Sequence, residues 1–102
     1  MTVDLDALRE RTEQSIARVR GVGSQAELAQ ARELGLELRD ARLYPELLRL
    51  AEVISRREPG DARNRRLYAQ ALIEQGYATA AIDVLKPLAS RLPRTDREHA
   101  EA

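Results

Sequence analysis

Hydrophobic positions recur at helical spacing along nearly the whole chain. A stripe with three- and four-residue steps predicts a helix over residues 4–20. The members of this stripe are Leu5, Leu8, Thr12, Ile16 and Val19. Ser24 followed by Glu27 is a capping box, in which each residue bonds the backbone N–H of the other, so a second helix should run from Gln25 to about Asp40.

Turn residues mark the limits of the following two helices. Pro45 suits the first turn of a helix, because the N–H that proline lacks would have no partner there. That helix should end near Arg57, before a Pro-Gly turn. Asp61 can cap the next helix, which should end near Gln75 with Gly76 as its stop signal.

A last helix is predicted from Tyr77 or Ala78 to Arg91, although Pro87 falls inside it. Proline removes one backbone hydrogen bond and clashes with the preceding turn. Because Leu88 continues the apolar stripe, we expect a kink near the proline rather than a break.

The chain also repeats itself, since Pro59 and Pro93 lie 34 residues apart and the residues before each can be superimposed. In the first helices, Leu34, Gly35 and Leu38 align with Tyr68, Ala69 and Leu72. In the second helices, Leu47, Ala51 and Ile54 align with Ala81, Leu85 and Leu88. A fixed period of this size is typical of paired antiparallel helices in an array. The predicted units are an N-terminal helix with a glycine-rich linker (1–23), two helical pairs (24–61 and 62–95) and the start of a third (96–102).

These residues resemble the tetratricopeptide repeat family. The matching positions are the stretch Leu67 to Tyr77, then Ala80, Ala81, Ile82, Leu85 and Pro93, and in the first unit Leu34, Gly35, Leu38, Tyr44 and Pro59. The first unit departs from the family pattern at Arg42, where glycine is usual, and at Leu47, where alanine is usual. The resemblance implies an all-α solenoid of helical hairpins with a concave groove lined by the first helix of each pair.

Composition argues against nucleic acids and membranes as partners of this chain. The chain has 102 residues, enough for one domain, and its 17 basic and 17 acidic side chains cancel. A neutral chain argues against nucleic acid as a partner, although five arginines surround the Pro59–Gly60 turn. No apolar run is long enough to span a bilayer and no leader is visible, so we expect no membrane partner and a cytoplasmic location.

The sequence contains no recognisable catalytic motif. There is no cysteine, and His99 is the only histidine. No serine lies in a motif with a base, and no calcium-loop pattern occurs. We therefore predict that the chain is not an enzyme and holds neither a metal nor another cofactor.

The family geometry implies which side chains would meet a ligand. The expected groove residues are Arg32, Leu36, Arg39, Arg63, Arg66, Gln70 and Ile73. Arginines beside aliphatic side chains would suit an acidic peptide segment with an apolar anchor. The alternative is that these arginines are solvated and paired with Glu33, Asp40 and Glu74.

The leading functional hypothesis is a protein–protein interaction module that binds a peptide or a neighbouring domain. A second is the regulatory or sensing part of a larger bacterial effector, because residues 80–93 loosely resemble repeats attached to protease or signalling domains, including regions similar to TRAF-binding ones. The capping box at 95–98 supports this interpretation, since it would open a further unit. A third is a homodimeric scaffold, joined through the apolar C-terminal edge or the N-terminal helix.

Overall fold

The computed structural model describes residues 4–91, with side chains through residue 86. Within that range the chain forms α-helices and no strand, which confirms the all-α class. The helices are α1 (Leu5–Gly21), α2 (Gln25–Asp40), α3 (Tyr44–Arg57), α4 (Ala62–Glu74) and α5 (Ala78–Arg91). The predicted helices are confirmed with small shifts at their ends, and α5 continues through Pro87 without a break. Pro93, His99 and the capping box at 95–98 lie outside the described residues.

Three helices begin where the sequence places an N-cap. The side chains of Asp4, Ser24 and Asp61 each accept a hydrogen bond from a backbone N–H in the first turn that follows. Such a bond satisfies a donor that has no partner within the helix, and its loss costs about 1 kcal/mol. α3 has no side-chain cap and instead carries Pro45 in its first turn.

The ends of α2 and α4 form the same turn. Arg42 and Gly76, which follow these helices, both adopt left-handed backbone conformations, with φ of 59° and 88°. The same backbone hydrogen bond closes each turn, from Leu43 N to Leu38 O at 2.9 Å and from Tyr77 N to Leu72 O at 2.7 Å. Both ends are therefore Schellman motifs, and equivalent positions are 34 residues apart.

The main hydrophobic core lies among α1, α2, α3 and α4. Its most deeply buried large side chains include Leu28, Leu38, Leu47, Leu50 and Ile54. α3 contacts α1, α2 and α4, so it occupies the centre of this core. Burial of one such side chain contributes about 1.5–3 kcal/mol, so this cluster is the main source of stability.

α1 packs against α2 and α3 through its apolar stripe. Leu8, Thr12, Ile16 and Val19 are buried there, while Leu5 is 40% exposed. The apolar stripe of α1 is thus buried within the chain.

Polar contacts also attach α1 to both neighbours. Arg11 donates to the Glu37 carboxylate on α2 at 3.3 and 2.8 Å. On the other side, Arg49 of α3 donates two hydrogen bonds to Glu13, and they hold the pKa of that carboxyl below its usual value. Both pairs join residues more than 25 positions apart, so they report directly on helix packing.

Gly35 is buried on the side of α2 that faces α3 and α4, where a methyl group would make ordinary contacts. A Cβ atom on Gly35 would lie 3.4 Å from Leu67 Cδ1 and 3.6 Å from Leu47 Cδ1. The equivalent position in the next unit, Ala69, is also buried. Each unit therefore places a small residue between two larger aligned ones, which are Leu34 and Leu38 in the first unit and Tyr68 and Leu72 in the second.

α5 is attached less firmly, because α4 is the only described helix that it contacts. A smaller core cluster of Ala69, Leu72 and Ala81 joins the two helices. The Arg65 guanidinium adds a second link, since it donates to the carbonyl of Pro59 and, at 3.0 Å, to that of Val84.

We predict that Arg42→Gly stabilises the protein by about 1 kcal/mol, because a left-handed conformation is costly for any residue with a Cβ atom. Thermal or urea unfolding followed by circular dichroism would measure the change. Arg42→Ala is the matched control, since it removes the side chain but keeps the Cβ. Equal stabilisation by glycine and alanine would contradict the backbone explanation.

We also predict that Arg49→Gln raises the pKa of Glu13, because the main cause of its lowered pKa is the hydrogen bond from Arg49. A lowered pKa means that the ionised pair favours folding above the unfolded-state pKa, and that this contribution is lost as the pH falls through the folded-state pKa. An NMR titration of the Glu13 carboxyl carbon would measure it. Arg18→Gln should leave the value unchanged, and a similar shift in both variants would argue against the α1–α3 contact.

Candidate functional site

Two adjoining cavities lie between α2 and α4. The larger, which we call the first cavity, has a volume of about 320 Å³ and is lined by Ala29, Arg32, Glu33, Leu36, Arg63, Asn64 and Leu67. The smaller, the arginine cavity, has a volume of about 220 Å³ and is lined by Leu36, Arg39, Arg63, Arg66, Leu67 and Gln70. The two share Leu36, Arg63 and Leu67, so together they form one groove.

The groove brings together six of the seven residues expected from the sequence. The exception is Ile73, which lines neither cavity and is 54% exposed on α4. Steps of three and four residues place Arg32, Leu36 and Arg39 on one side of α2. The same steps connect the α4 members, and α2 contacts α4 directly.

The guanidinium of Arg32 forms ion pairs with two carboxylates of the protein itself. Its Nη1 atom lies 3.2 Å from Glu58 Oε1 and 3.1 Å from Asp61 Oδ2, and all three side chains are mostly buried. These contacts attach α2 to the turn between α3 and α4. These ion pairs join residues 26 and 29 positions apart, and their acidic partners are not among the three carboxylates that the sequence suggested for the groove arginines.

Arg39 has the acidic neighbour expected from the sequence. Its guanidinium donates to Asp40 Oδ1 through Nε at 3.3 Å and Nη2 at 3.2 Å. Both side chains are well exposed, and an exposed ion pair of this kind contributes little to stability. Arg39 can therefore change partner at low cost.

Arg63 and Arg66 differ from the other two arginines. Both are exposed on α4, and neither guanidinium forms an ion pair or hydrogen bond with any residue between 4 and 91. They leave fixed positive charge at the rim of the groove.

Sequence reasoning did not find Asn64, which is 2% exposed and lines the first cavity. Its Nδ2 atom donates to the Ala51 carbonyl oxygen at 2.9 Å, so the side chain joins α4 to α3. An asparagine near a helix start gives no sequence signal of burial, because this residue type is usually exposed there. Leu67, which contributes to both cavities, was not among the expected groove residues.

The arginines around the Pro59–Gly60 turn are mostly engaged by the protein. Arg56 donates to Glu52 at 2.6 Å, and Arg57 donates to the Arg20 carbonyl at 2.6 Å. Arg65 bonds the two carbonyls already described. This cluster therefore offers fewer donors to phosphate than its sequence indicates.

Other site types were sought in the same part of the chain. Residues 4–91 contain no group of histidine and acidic side chains that could hold a metal ion. No helix in that range is long and apolar enough to cross a membrane. Comparison of the chain with family models, curated proteins and solved structures produced no match.

We predict that Arg32→Gln lowers the free energy of unfolding by roughly 1–2 kcal/mol, because it breaks both half-buried ion pairs and leaves two carboxylates without their partner. Urea denaturation would measure the loss. Arg63→Gln is the matched control on the same groove and should change stability by less than about 0.5 kcal/mol. Similar losses in the two variants would show that Arg32 has no special structural role.

Proposed function

We propose that this chain is a protein-interaction module, a tetratricopeptide-like array of antiparallel helical pairs that binds a peptide segment between α2 and α4. The observation that carries the proposal is the groove itself. Two facing helices supply a leucine-lined floor and unpaired cationic side chains at its rim. A concave, largely apolar surface with a few polar groups is the usual form of a binding site.

The array is supported by features that recur after 34 residues. The Schellman turns at Arg42 and Gly76 are equivalent, and so are the small buried residues Gly35 and Ala69. Contacts between α1 and α3 and between α2 and α4 accompany those between consecutive helices. Stacked helical pairs produce this combination of nearest and next-nearest contacts.

The groove suits a peptide better than a small molecule. It consists of two cavities that share Leu36, Arg63 and Leu67, rather than one cavity for a single ligand. An extended segment could place successive side chains in the two cavities, because side chains of alternate residues point the same way. Leu36, which lines both cavities and is 43% exposed, would lie at the centre of the contact.

We predict that Leu36→Asp weakens peptide binding at least tenfold, because it places a charge on the apolar floor. The probes would be peptides selected on the wild-type protein from a random display library, with affinities measured by isothermal titration calorimetry. Leu5→Asp is the matched control, since Leu5 is 40% exposed on α1 and lines neither cavity.

Unchanged affinity in Leu36→Asp, or an equal loss in Leu5→Asp, would contradict the proposed groove. A selection that yields no binding peptide would contradict the proposed function itself. Circular dichroism melts of all three proteins would ensure that only folded variants are compared.

A further inference from the structure

We infer that the arginine cavity is a carboxylate site, which receives an acidic side chain of the bound peptide while a nearby aliphatic side chain enters the first cavity. The inference rests on the proposed function and adds the chemistry of the ligand. It also assigns different roles to the arginines of the groove: Arg63 and Arg66 bind the ligand, and Arg32 does not.

The charges of three neighbouring cavities differ. The arginine cavity is lined by three guanidiniums, one amide and two leucines, and none of its lining residues is acidic. The first cavity contains Glu33. A more open cavity at the α3–α4 turn contains Glu58 and Asp61, which already neutralise Arg32. The cavity at the turn is also lined by Arg63, so its two cations and two anions balance. A carboxylate would therefore be attracted more strongly to the arginine cavity, which has three cations and no anion.

This positive charge is local, because the whole chain has equal numbers of basic and acidic residues. Long-range attraction thus contributes little, and binding depends on groups within a few ångströms. Leu36 and Leu67 border the same cavity. Apolar walls reduce the competition from water and so strengthen a charge-assisted hydrogen bond.

The donors needed for a carboxylate are present. The guanidiniums of Arg63 and Arg66 have no partner among residues 4–91, so their full donor sets can bind a ligand. Arg39 uses Nε and Nη2 for Asp40, which leaves donors on Nη1. The planar fork of arginine matches the two oxygens of a carboxylate, whereas an amide offers only one oxygen.

The geometry of α4 limits where the carboxylate lies. Arg63 and Arg66 are three residues apart on one helix, a spacing at which Cβ atoms are about 5–6 Å apart. Two long side chains at this distance can reach the same carboxylate. Arg63 lines both the first cavity and the arginine cavity. The acidic and aliphatic side chains that enter these cavities must therefore lie close together in the ligand.

An extended peptide meets this condition when the two residues are two positions apart, since their side chains then share a side and lie about 6.5–7 Å apart. The expected ligand pattern is thus an acidic residue separated by one residue from leucine, isoleucine or valine. Because the peptide could lie in either direction, a probe should carry an aliphatic residue on both sides of the acid.

The test compares two blocked peptides, acetyl-Ser-Leu-Ser-Glu-Ser-Leu-Ser-amide and the same peptide with glutamine in place of glutamate. We expect the glutamate peptide to bind the wild-type protein about tenfold more tightly at 150 mM salt. In the Arg63→Gln/Arg66→Gln double variant this ratio should fall to about one. The matched control, Arg18→Gln/Arg20→Gln on α1, loses the same charge and should keep the ratio.

Equal affinities of the two peptides for wild-type protein, or no binding by either, would overturn the carboxylate site. An equal loss in the α1 control would overturn it as well, because a general charge effect would then explain the preference. A glutamine peptide with a free C-terminus that binds as tightly as the glutamate peptide would assign the site to a chain end. In all these cases the peptide groove stands if library peptides still distinguish Leu36→Asp from Leu5→Asp.

Discussion

The packing of α3 against three other helices is the interaction on which the structure depends. Leu47, Leu50 and Ile54 of this helix are almost completely buried, and they contact the core that α1, α2 and α4 share. Because α2 and α4 both pack on α3, they are brought beside one another. Their remaining surfaces then form the walls of the groove. The candidate site is therefore a consequence of the core rather than an addition to it.

Electrostatics divides the arginines into two sets. Arg11, Arg32 and Arg49 join helices that are distant in the sequence, and their charges are matched by carboxylates. Arg63 and Arg66 have no such partner within residues 4–91. The neutral total conceals this difference, because opposite charges balance over the chain but not within the groove. Local charge, unlike net charge, can select one kind of ligand.

The internal period is preserved in backbone shape and packing more than in residue identity. Arg42 and Gly76 form the same left-handed turn although only glycine adopts it without strain. Leu47 and Ala81, at equivalent positions of the second helices, are both buried despite their different volumes. The aligned positions therefore share burial and backbone conformation while differing in residue type.

The sequence by itself determined the helices and their limits, and the family resemblance indicated which side chains of α2 and α4 would lie near one another. Caps such as Ser24 and Asp61 act within one turn, so their effect follows from local spacing alone. Only the tertiary structure decided that Glu58 and Asp61 would bind Arg32, that Asn64 would be buried and that α1 would lie against α3. These outcomes depend on which helix faces meet, and a contact between residues of different helices leaves no periodic trace in the chain. For that reason the sequence indicated where the arginines lie, while the structure showed which of them are left without a partner among the described residues.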